Sequence, residues 1–433
     1  MKRSVWFSKN KPCSGKVKAP SSKSALQRII ALSWLSQAET KIINPVLCND
    51  VNAAIGIVKS LGAEVTETPS AICIDSRGKM EKLSKSKSTI KLFCGESGLS
   101  LRMFAPIASL NGCCFEFTGT GSLNKRPSSI IGETLSLFGV KVSDNGGFPP
   151  VSVCGKLSSG FAEINGSLSS QVLTGLLLAL PAAKGNSEIK ANNLKSKPYI
   201  DLTIELAEKF GCEIINNNYT LFKISGEQKY KSPEVIEAEG DWSSAAFLLA
   251  AAALSDKGSI EIENLNIDSK QADKAIVKVL SSCGLKVDTS GNNRISLKRT
   301  NPLLLPFEFD ASDCPDLFPP LTALASGCSG VSLIHGVERL KHKESDRESA
   351  LIEEFTKAGI EIKSNGKTIS VAGGKGIRSF SGNSHNDHRI AMAIATASAI
   401  GNVKAEIENA EAVEKSYPDF FNDLMLIGGY VDE

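Results

Sequence analysis

The chain has 433 residues, 42% apolar and 22% charged, too long for one ordinary core and suited to two or three domains of a globular protein. Its 49 Lys and Arg against 47 Asp and Glu leave a net charge of +2; that excludes a dominant non-specific nucleic-acid surface and leaves any anion binding to local placement. Eleven scattered cysteines with no Cys-x-x-Cys pair, beside four histidines, give no zinc pattern and predict buried reduced thiols in a cytoplasmic protein. Residues 1–9 lack the apolar run of a secretory leader. The longest apolar run, 245–254, is too short to span a bilayer.

From the N-terminus onward, six short polar patches each open an apolar run that reads as a helix. In order they are Pro20-Ser-Ser-Lys-Ser24, Gly95-Glu-Ser-Gly98, Gly166-Ser-Leu-Ser-Ser-Gln171, Gly240-Asp-Trp-Ser-Ser244, Ser312-Asp-Cys-Pro-Asp316 and Asn386-Asp-His-Arg389. Their starts lie about 73 residues apart, the mark of an internal repeat. The runs that follow, such as 245–254 and 391–397, are apolar nearly all round, which predicts buried helices. Later in each repeat comes an amphipathic stretch, such as 200–209 or 347–357, with the 3.6-residue period of an outer helix. Each of these stretches ends on a glycine: Gly62, Gly139, Gly211, Gly284, Gly359 and Gly428. A glycine there suits a helix C-terminus that needs positive φ. Short β-like pieces such as Ala-Glu-Val and Cys-Glu-Ile follow. Six repeats predict two domains of three, with boundaries near Ala19-Pro20 and Tyr230-Lys-Ser-Pro233. Buried helices sit inside a shell of strands and outer helices. The basic stretch 82–88 reads as a solvated loop.

Strong cations stand at or just after four of the helix starts: Lys23 and Arg28, Arg102, Arg389, and the cluster Lys341-His-Lys343-Glu344-Ser-Asp-Arg347. Lys415 comes late, in Val413-Glu-Lys-Ser-Tyr-Pro-Asp419. A cation at a helix N-terminus opposes the helix dipole, so repeated placement makes sense if an anion sits between them. Ser169-Ser170-Gln171 adds hydroxyls, an amide and backbone N–H groups, the donors a phosphate needs. Taken singly, a Ser-Ser pair is an ordinary N-cap and a first-turn Arg an ordinary surface residue. Recurrence at equivalent repeat positions carries the reading.

Eight motifs occur in order: Lys23-Ser24-x-x-x-Arg28, Gly95-Glu-Ser-Gly98-x-x-x-Arg102, Gly166-Ser-Leu-Ser169-Ser170-Gln171, Leu194-Lys-Ser196-Lys-Pro-Tyr199-Ile-Asp201, Glu239-Gly-Asp-Trp-Ser-Ser244, Lys343-Glu344-Ser-Asp-Arg347, Asn386-Asp-His388-Arg389 and Lys415-Ser-Tyr-Pro-Asp419. Together they closely resemble the EPSP synthases, the 3-phosphoshikimate 1-carboxyvinyltransferases among the enolpyruvyl transferases, over residues 23–420. The resemblance implies an α/β fold of two inside-out domains, each of three βαβαββ-type repeats. Residues 1–20 plus 235–433 would form one and 21–234 the other, with the active site in the interdomain cleft. It implies transfer of the enolpyruvyl (carboxyvinyl) group of phosphoenolpyruvate to the 5-hydroxyl of shikimate 3-phosphate, by addition–elimination with release of phosphate. That places the chain in the shikimate pathway, toward chorismate and the aromatic amino acids. It implies a cytoplasmic monomer without cofactor or metal, whose partners are small-molecule substrates, with no nucleic acid and no membrane.

By position, the resemblance assigns Ser169, Ser170 and Ser196 to the shikimate phosphate. It gives the shikimate carboxylate to Ser24 and Arg28, and sets Gln171 and Tyr199 near the ring. Lys23 bridges both substrates. Gly98, Gln171, Arg347, Arg389 and Lys415 hold phosphoenolpyruvate, with Gly98 admitting the phosphate to the backbone. Asp316 matches the base for the 5-hydroxyl, Lys343 orients that hydroxyl, and Glu344 matches the acid for the methylene carbon. Opposite roles for two carboxylates need surroundings that separate their pKa values; Lys343, Arg347 and His388 are the expected neighbours.

Three positions depart from the pattern. Ser122 stands where many members place an arginine on the phosphoenolpyruvate phosphate, and the sequence leaves open whether Lys125 or Arg126 compensates. Leu99 replaces a usual threonine, and Arg339 a frequent asparagine. Weaker phosphoenolpyruvate binding and an altered response to glyphosate are expected. Among alternatives, the UDP-N-acetylglucosamine enolpyruvyl transferases carry a catalytic cysteine where Gly121 stands here. A non-catalytic anion-binding paralogue would not need both Asp316 and Glu344 beside Lys23 and Arg347.

Overall fold

The computed structural model describes residues 1–84, 88–167, 169–291 and 293–433. Three residues of the expected basic loop, 85–87, and Leu168 of the serine-rich helix start lie outside the described residues. The preceding Lys82-Leu-Ser84 closes a short helix, Lys79–Ser84, instead of belonging to a loop.

All six polar patches open helices as expected: Lys23–Leu35, Gly98–Ser109, Gln171–Ala179, Trp242–Leu254, Phe318–Ser326 and His388–Ala397. Four of them are capped by the patch itself. Ser22, Ser97, Asp241 and Asp387 each accept a bond from a first-turn backbone N–H, a contribution of about 1 kcal/mol apiece. The helices behind these caps run through the interior: all residues of Gly98–Ser109, Trp242–Leu254 and His388–Ala397 are buried. A helix with no polar face has no place at a surface, so these form the centres of the units.

The amphipathic helices are Asn49–Ser60, Ser129–Ser136, Lys197–Lys209, Ile276–Ser282, Arg347–Lys357 and Phe420–Leu426. The glycine expected after each has positive φ, from 79° at Gly139 to 100° at Gly428.

Six four-stranded sheets share one plan, a parallel pair followed by two antiparallel pairings. In one of them, Ile90–Phe93 leads through the central helix to the parallel strand Cys114–Thr118. The chain then crosses an outer helix and returns as Lys141–Asn145 and Phe148–Cys154, the last pairing with Cys114–Thr118. Burial alternates along Cys114–Thr118, with Phe115 and Phe117 inward; this two-residue period turns one face of each sheet onto the helices.

The chain divides into two compact units, Met1–Pro20 with Glu239–Glu433, and Ser21–Ala238. Both crossings fall between a strand and the central helix that follows it. Strand Ser14–Lys18 pairs with Ser259–Glu263, yet its next helix is Lys23–Leu35 of the other unit. Strand Val235–Glu237 pairs in parallel with Glu39–Ile43, so the boundary expected at 235 moves to Ala238: three residues of strand are too short to announce themselves in sequence. The first strand, Lys2–Trp6, lies between Lys404–Glu408 and Tyr430–Asp432 and completes the last sheet.

The cysteine expectation needs one correction. Nine are free, eight of them buried, but Cys114 and Cys154, partners in register across two strands, form a disulfide. Among the described residues no helix is long and apolar enough to cross a membrane.

Candidate active site

In the unit Ser21–Ala238, the start of Lys23–Leu35 carries Lys23, Ser24 and Arg28. Lys23 Nζ lies 2.9 Å from Asp50 Oδ2, in the first turn of Asn49–Ser60. Arg28 is buried. Its Nε donates to Thr203 Oγ1 (2.9 Å), Nη1 to the Ser24 carbonyl (2.7 Å), and Nη2 to the Tyr199 carbonyl (3.3 Å) and Thr174 Oγ1 (3.4 Å). These are neutral oxygens, and among the described residues no carboxylate pairs with Arg28. Burial accordingly pulls the guanidinium down to about 10, with Tyr199 opposing. A buried cation answered only by neutral groups is an anion site in waiting. The same bonds bring Ser24, Arg28 and Tyr199 together. Ser196, buried and left-handed at φ 56°, precedes Lys197–Lys209 in the position before its first turn.

A second cluster joins two more helix starts. Arg102 Nη1 donates to Gln171 Oε1 (3.0 Å) and to the Gly98 carbonyl (3.4 Å), and Nη2 donates to the Pro127 carbonyl (2.6 Å). A Cβ placed on Gly98 would stand 2.7 Å from Arg102 Nη1 and 2.9 Å from Arg126 Cζ. Glycine at 98 therefore seats two guanidinium groups at the helix start. Ser122 is turned away: its N–H and Oγ–H both donate to Glu96 Oε2 at 2.7 Å. Lys125 is exposed whereas Arg126 is buried, so Arg126 is the cation at this spot. Ser170 occupies the N-cap position of Gln171–Ala179 but makes no side-chain capping bond, unlike an ordinary cap. Ser169 Oγ accepts from the Gln171 N–H (3.1 Å).

In the other unit the predicted residues form one network. Asp316 sits in the turn Pro315–Leu317 that leads into Phe318–Ser326. Its Oδ1 is 2.8 Å from Arg347 Nη1 and 3.4 Å from Lys343 Nζ; its Oδ2 is 3.1 Å from Arg389 Nη2. Asp316 and Arg389 belong to the starts of different central helices, so these two N-termini meet. Burial alone would raise the Asp316 carboxyl, but Arg389, then Lys343 and Arg347, hold it well below the usual carboxylate range, with Glu344 working against them.

Arg347, wholly buried, also binds Glu344 (Nη2–Oε2, 2.6 Å) and Asp387 (Nε–Oδ2, 2.9 Å). Burial lowers the Lys343 ammonium to about 8, with Asp316 opposing and Arg339 and Arg347 reinforcing. Arg389 Nη1 bonds His388 Nε2, while its buried Nε has no partner among the described residues. Lys415 Nζ donates to the Asn386 carbonyl (2.6 Å).

Four of the cations that the sequence flagged, Lys23, Lys343, Arg347 and Arg389, are thus balanced by carboxylates of their own unit, unlike Arg28. Two of those carboxylates, Asp50 and Asp387, were not singled out. Asp387 was legible as an N-cap inside Asn386-Asp-His-Arg389; Asp50 had no signal, since its partner lies 27 residues away. A third acid, Asp273, is fully buried and accepts from Ser243 Oγ. Burial and the Asp316 charge raise it to about 6, against Arg389.

The sequence matches the family profile described as EPSP synthase (3-phosphoshikimate 1-carboxyvinyltransferase) over residues 7–424. The chain belongs to the EPSP synthase family. A 3-phosphoshikimate 1-carboxyvinyltransferase of Clostridium beijerinckii is 36% identical over 430 residues, covering 97% of this chain and 96% of its own. That of Clostridioides difficile is 36% identical over 432 residues with the same coverage. Among solved structures, EPSP synthase from Acinetobacter baumannii superposes with a TM-score of 0.83 at 24% identity over 100% of both chains. The enolpyruvyl transferase NikO from Streptomyces tendae gives 0.78 at 17% identity, over 100% of this chain and 98% of that one. At these identities the two likenesses speak to the fold.

Proposed function

We propose that the two groups of residues act on one pair of substrates, shikimate 3-phosphate and phosphoenolpyruvate. The chain is a transferase of the shikimate pathway: it moves the enolpyruvyl group of phosphoenolpyruvate to the 5-hydroxyl of shikimate 3-phosphate and releases phosphate. Ser24, Arg28, Ser169, Ser170, Gln171, Ser196 and Tyr199 take shikimate 3-phosphate, whose anionic groups answer the uncompensated Arg28 and the uncapped Ser170. Gly98, Gln171, Arg347, Arg389 and Lys415 take phosphoenolpyruvate, with Lys23 serving both. Arg126, seated on Gly98 beside Arg102, supplies the cation that Ser122 does not.

The observation that carries this reading is Asp316, held between Lys343, Arg347 and Arg389 while Glu344 shares Arg347. A carboxylate so stabilised is a poor base. A substrate carboxylate has the same charge and geometry, and a guanidinium matches it bidentately. When it takes Arg347 and Arg389, Asp316 loses two of its three cations and regains basicity. Asp316 then accepts the 5-hydroxyl proton as that oxygen bonds to C2 of phosphoenolpyruvate, and Glu344 delivers a proton to the methylene carbon. In the second half, the methyl group returns a proton as the C–O bond to phosphate breaks, restoring the double bond. Lys343, beside Asp316, orients the hydroxyl. Holding two reactants in register contributes up to roughly 7–11 kcal/mol, more than either proton transfer.

Phosphate release from a mixture of both substrates is the test. Release that depends on both at once is expected; release with neither dependence, or binding without turnover, would sink the reading.

A further inference from the structure

We propose that Glu354 and His385 are positioning residues for phosphoenolpyruvate, setting the turn that presents Arg389 and Lys415; this rests on the assignment of those two cations above. Glu354 lies two turns along Arg347–Lys357 from Arg347, and its side chain is wholly inaccessible. Oε1 is 2.7 Å from His385 Nε2 and 2.9 Å from Lys357 Nζ; Oε2 accepts from the Asn383 N–H at 3.1 Å. A Cβ on Gly382 would stand 2.7 Å from Oε2, so glycine there makes room for the carboxylate. Glu353, Glu354 and His385 offer three ligand atoms within 4.8 Å of one another, but Lys357 Nζ already sits on both carboxylates (2.8 and 2.9 Å). The cluster is built to hold the turn, not a metal ion.

What it holds is unusual backbone. His385 and Asn386 are consecutive left-handed residues, at φ 52° and 55°, a conformation that His and Asn adopt more readily than most residues but that still costs a non-glycine residue free energy. The turn directs the Asn386 carbonyl to Lys415 Nζ and leads through Asp387, the Arg347 partner, to Arg389. One outer helix therefore pins the turn twice, through Arg347 to Asp387 and through Glu354 to His385 and Asn383. Losing the second pin lets His385 and Asn386 relax toward ordinary φ, which withdraws the carbonyl from Lys415 and shifts Arg389.

The test compares kinetics for the two substrates in His385→Ala, His385→Gln and Glu354→Gln. His385→Ala is expected to raise KM for phosphoenolpyruvate about tenfold, the scale of one hydrogen bond to a charged group. KM for shikimate 3-phosphate should stay within about twofold, since no residue assigned to it lies on this turn. His385→Gln keeps a donor toward Glu354 and is expected to restore most of the loss. A purely structural role would lower Tm without singling out one substrate. Equal changes in both KM values, or none in that for phosphoenolpyruvate, would overturn the proposal, and His385→Ala decides the matter even if Glu354→Gln fails to fold. Arg389→Ala separates the two levels of argument: if it leaves phosphoenolpyruvate binding intact, the underlying assignment fails; if it weakens binding while His385→Ala does not, only the positioning role fails.

Discussion

Replacing Asp316 by Asn makes chemistry and binding move in opposite directions. Asn keeps the shape and one acceptor oxygen but cannot take a proton. If Asp316 is the base, kcat falls roughly 10²–10⁴-fold. Binding should respond the other way. Asp316 stands 2.8 Å from Arg347 and 3.1 Å from Arg389, the two groups proposed to hold phosphoenolpyruvate. Two unit charges 4 Å apart attract by about 4 kcal/mol at an effective dielectric near 20. With a fifth of the Asp316 side chain exposed, water recovers much of that when the pair parts. A net gain of about 1–2 kcal/mol remains for a substrate that no longer competes, or roughly 5–30-fold tighter binding. Phosphate release at saturation reads kcat; calorimetry of phosphoenolpyruvate with shikimate 3-phosphate present reads affinity. Turnover within tenfold of the parent would refute the base assignment. Weaker phosphoenolpyruvate binding in Asp316→Asn would refute the exchange of one carboxylate for another.

Two other outcomes follow from the same geometry. With Lys343 at about 8 in the unliganded protein, kcat/KM should decline as pH rises through about 8, because an ammonium that orients the hydroxyl is lost; Lys343→Arg should carry that limb upward, and a rise through the same range would make Lys343 a base instead. For stability the sign is opposite: the unfolded chain holds the Lys343 proton up to about 10.4, so between the two values this group favours folding more as pH rises. Arg126→Ala should raise KM for phosphoenolpyruvate roughly 10- to 100-fold, as loss of a charge-assisted contact implies, whereas Lys125→Ala should leave it unchanged; the reverse pattern would move the cation to Lys125.

The sequence revealed what is chemically local. A cap, an apolar run and a terminal glycine each act within a turn or two of chain, so all six helix starts and all six helix ends could be placed without any partner in view. Partners from distant chain were hidden. Arg347 meets Asp387 across 40 residues and Lys23 meets Asp50 across 27; neither pairing leaves a periodic trace. Lys125 and Arg126 stand as equal candidates in the sequence until Gly98 is seen to leave space for Arg126. Cys114 and Cys154 come into register only through the order of strands in their sheet, which spacing does not give. The catalytic assignments came from resemblance: Asp316 precedes a helix as many aspartates do, and nothing in its own neighbourhood marks it as a base.

The missed carboxylates change the physical picture of the cation clusters. Cations gathered at helix starts suggest a field that waits for an anion. In the unit with Asp316, three cations instead meet Asp316, Glu344 and Asp387 at ion-pair distance. Burying such charges unpaired would cost several kcal/mol each, so a preformed cationic pocket of this depth would not be stable. Internal carboxylates make the arrangement affordable, and the fully buried Asp387 makes it permanent. Asp316 is partly exposed, so it can be released at smaller cost than Asp387. On the proposed assignment, substrate charge would then replace protein charge at Arg347 and Arg389 with little net change in the field, and the displaced carboxylate would become the base. Binding and activation are on this reasoning the same event, which is why Asp316→Asn must separate them.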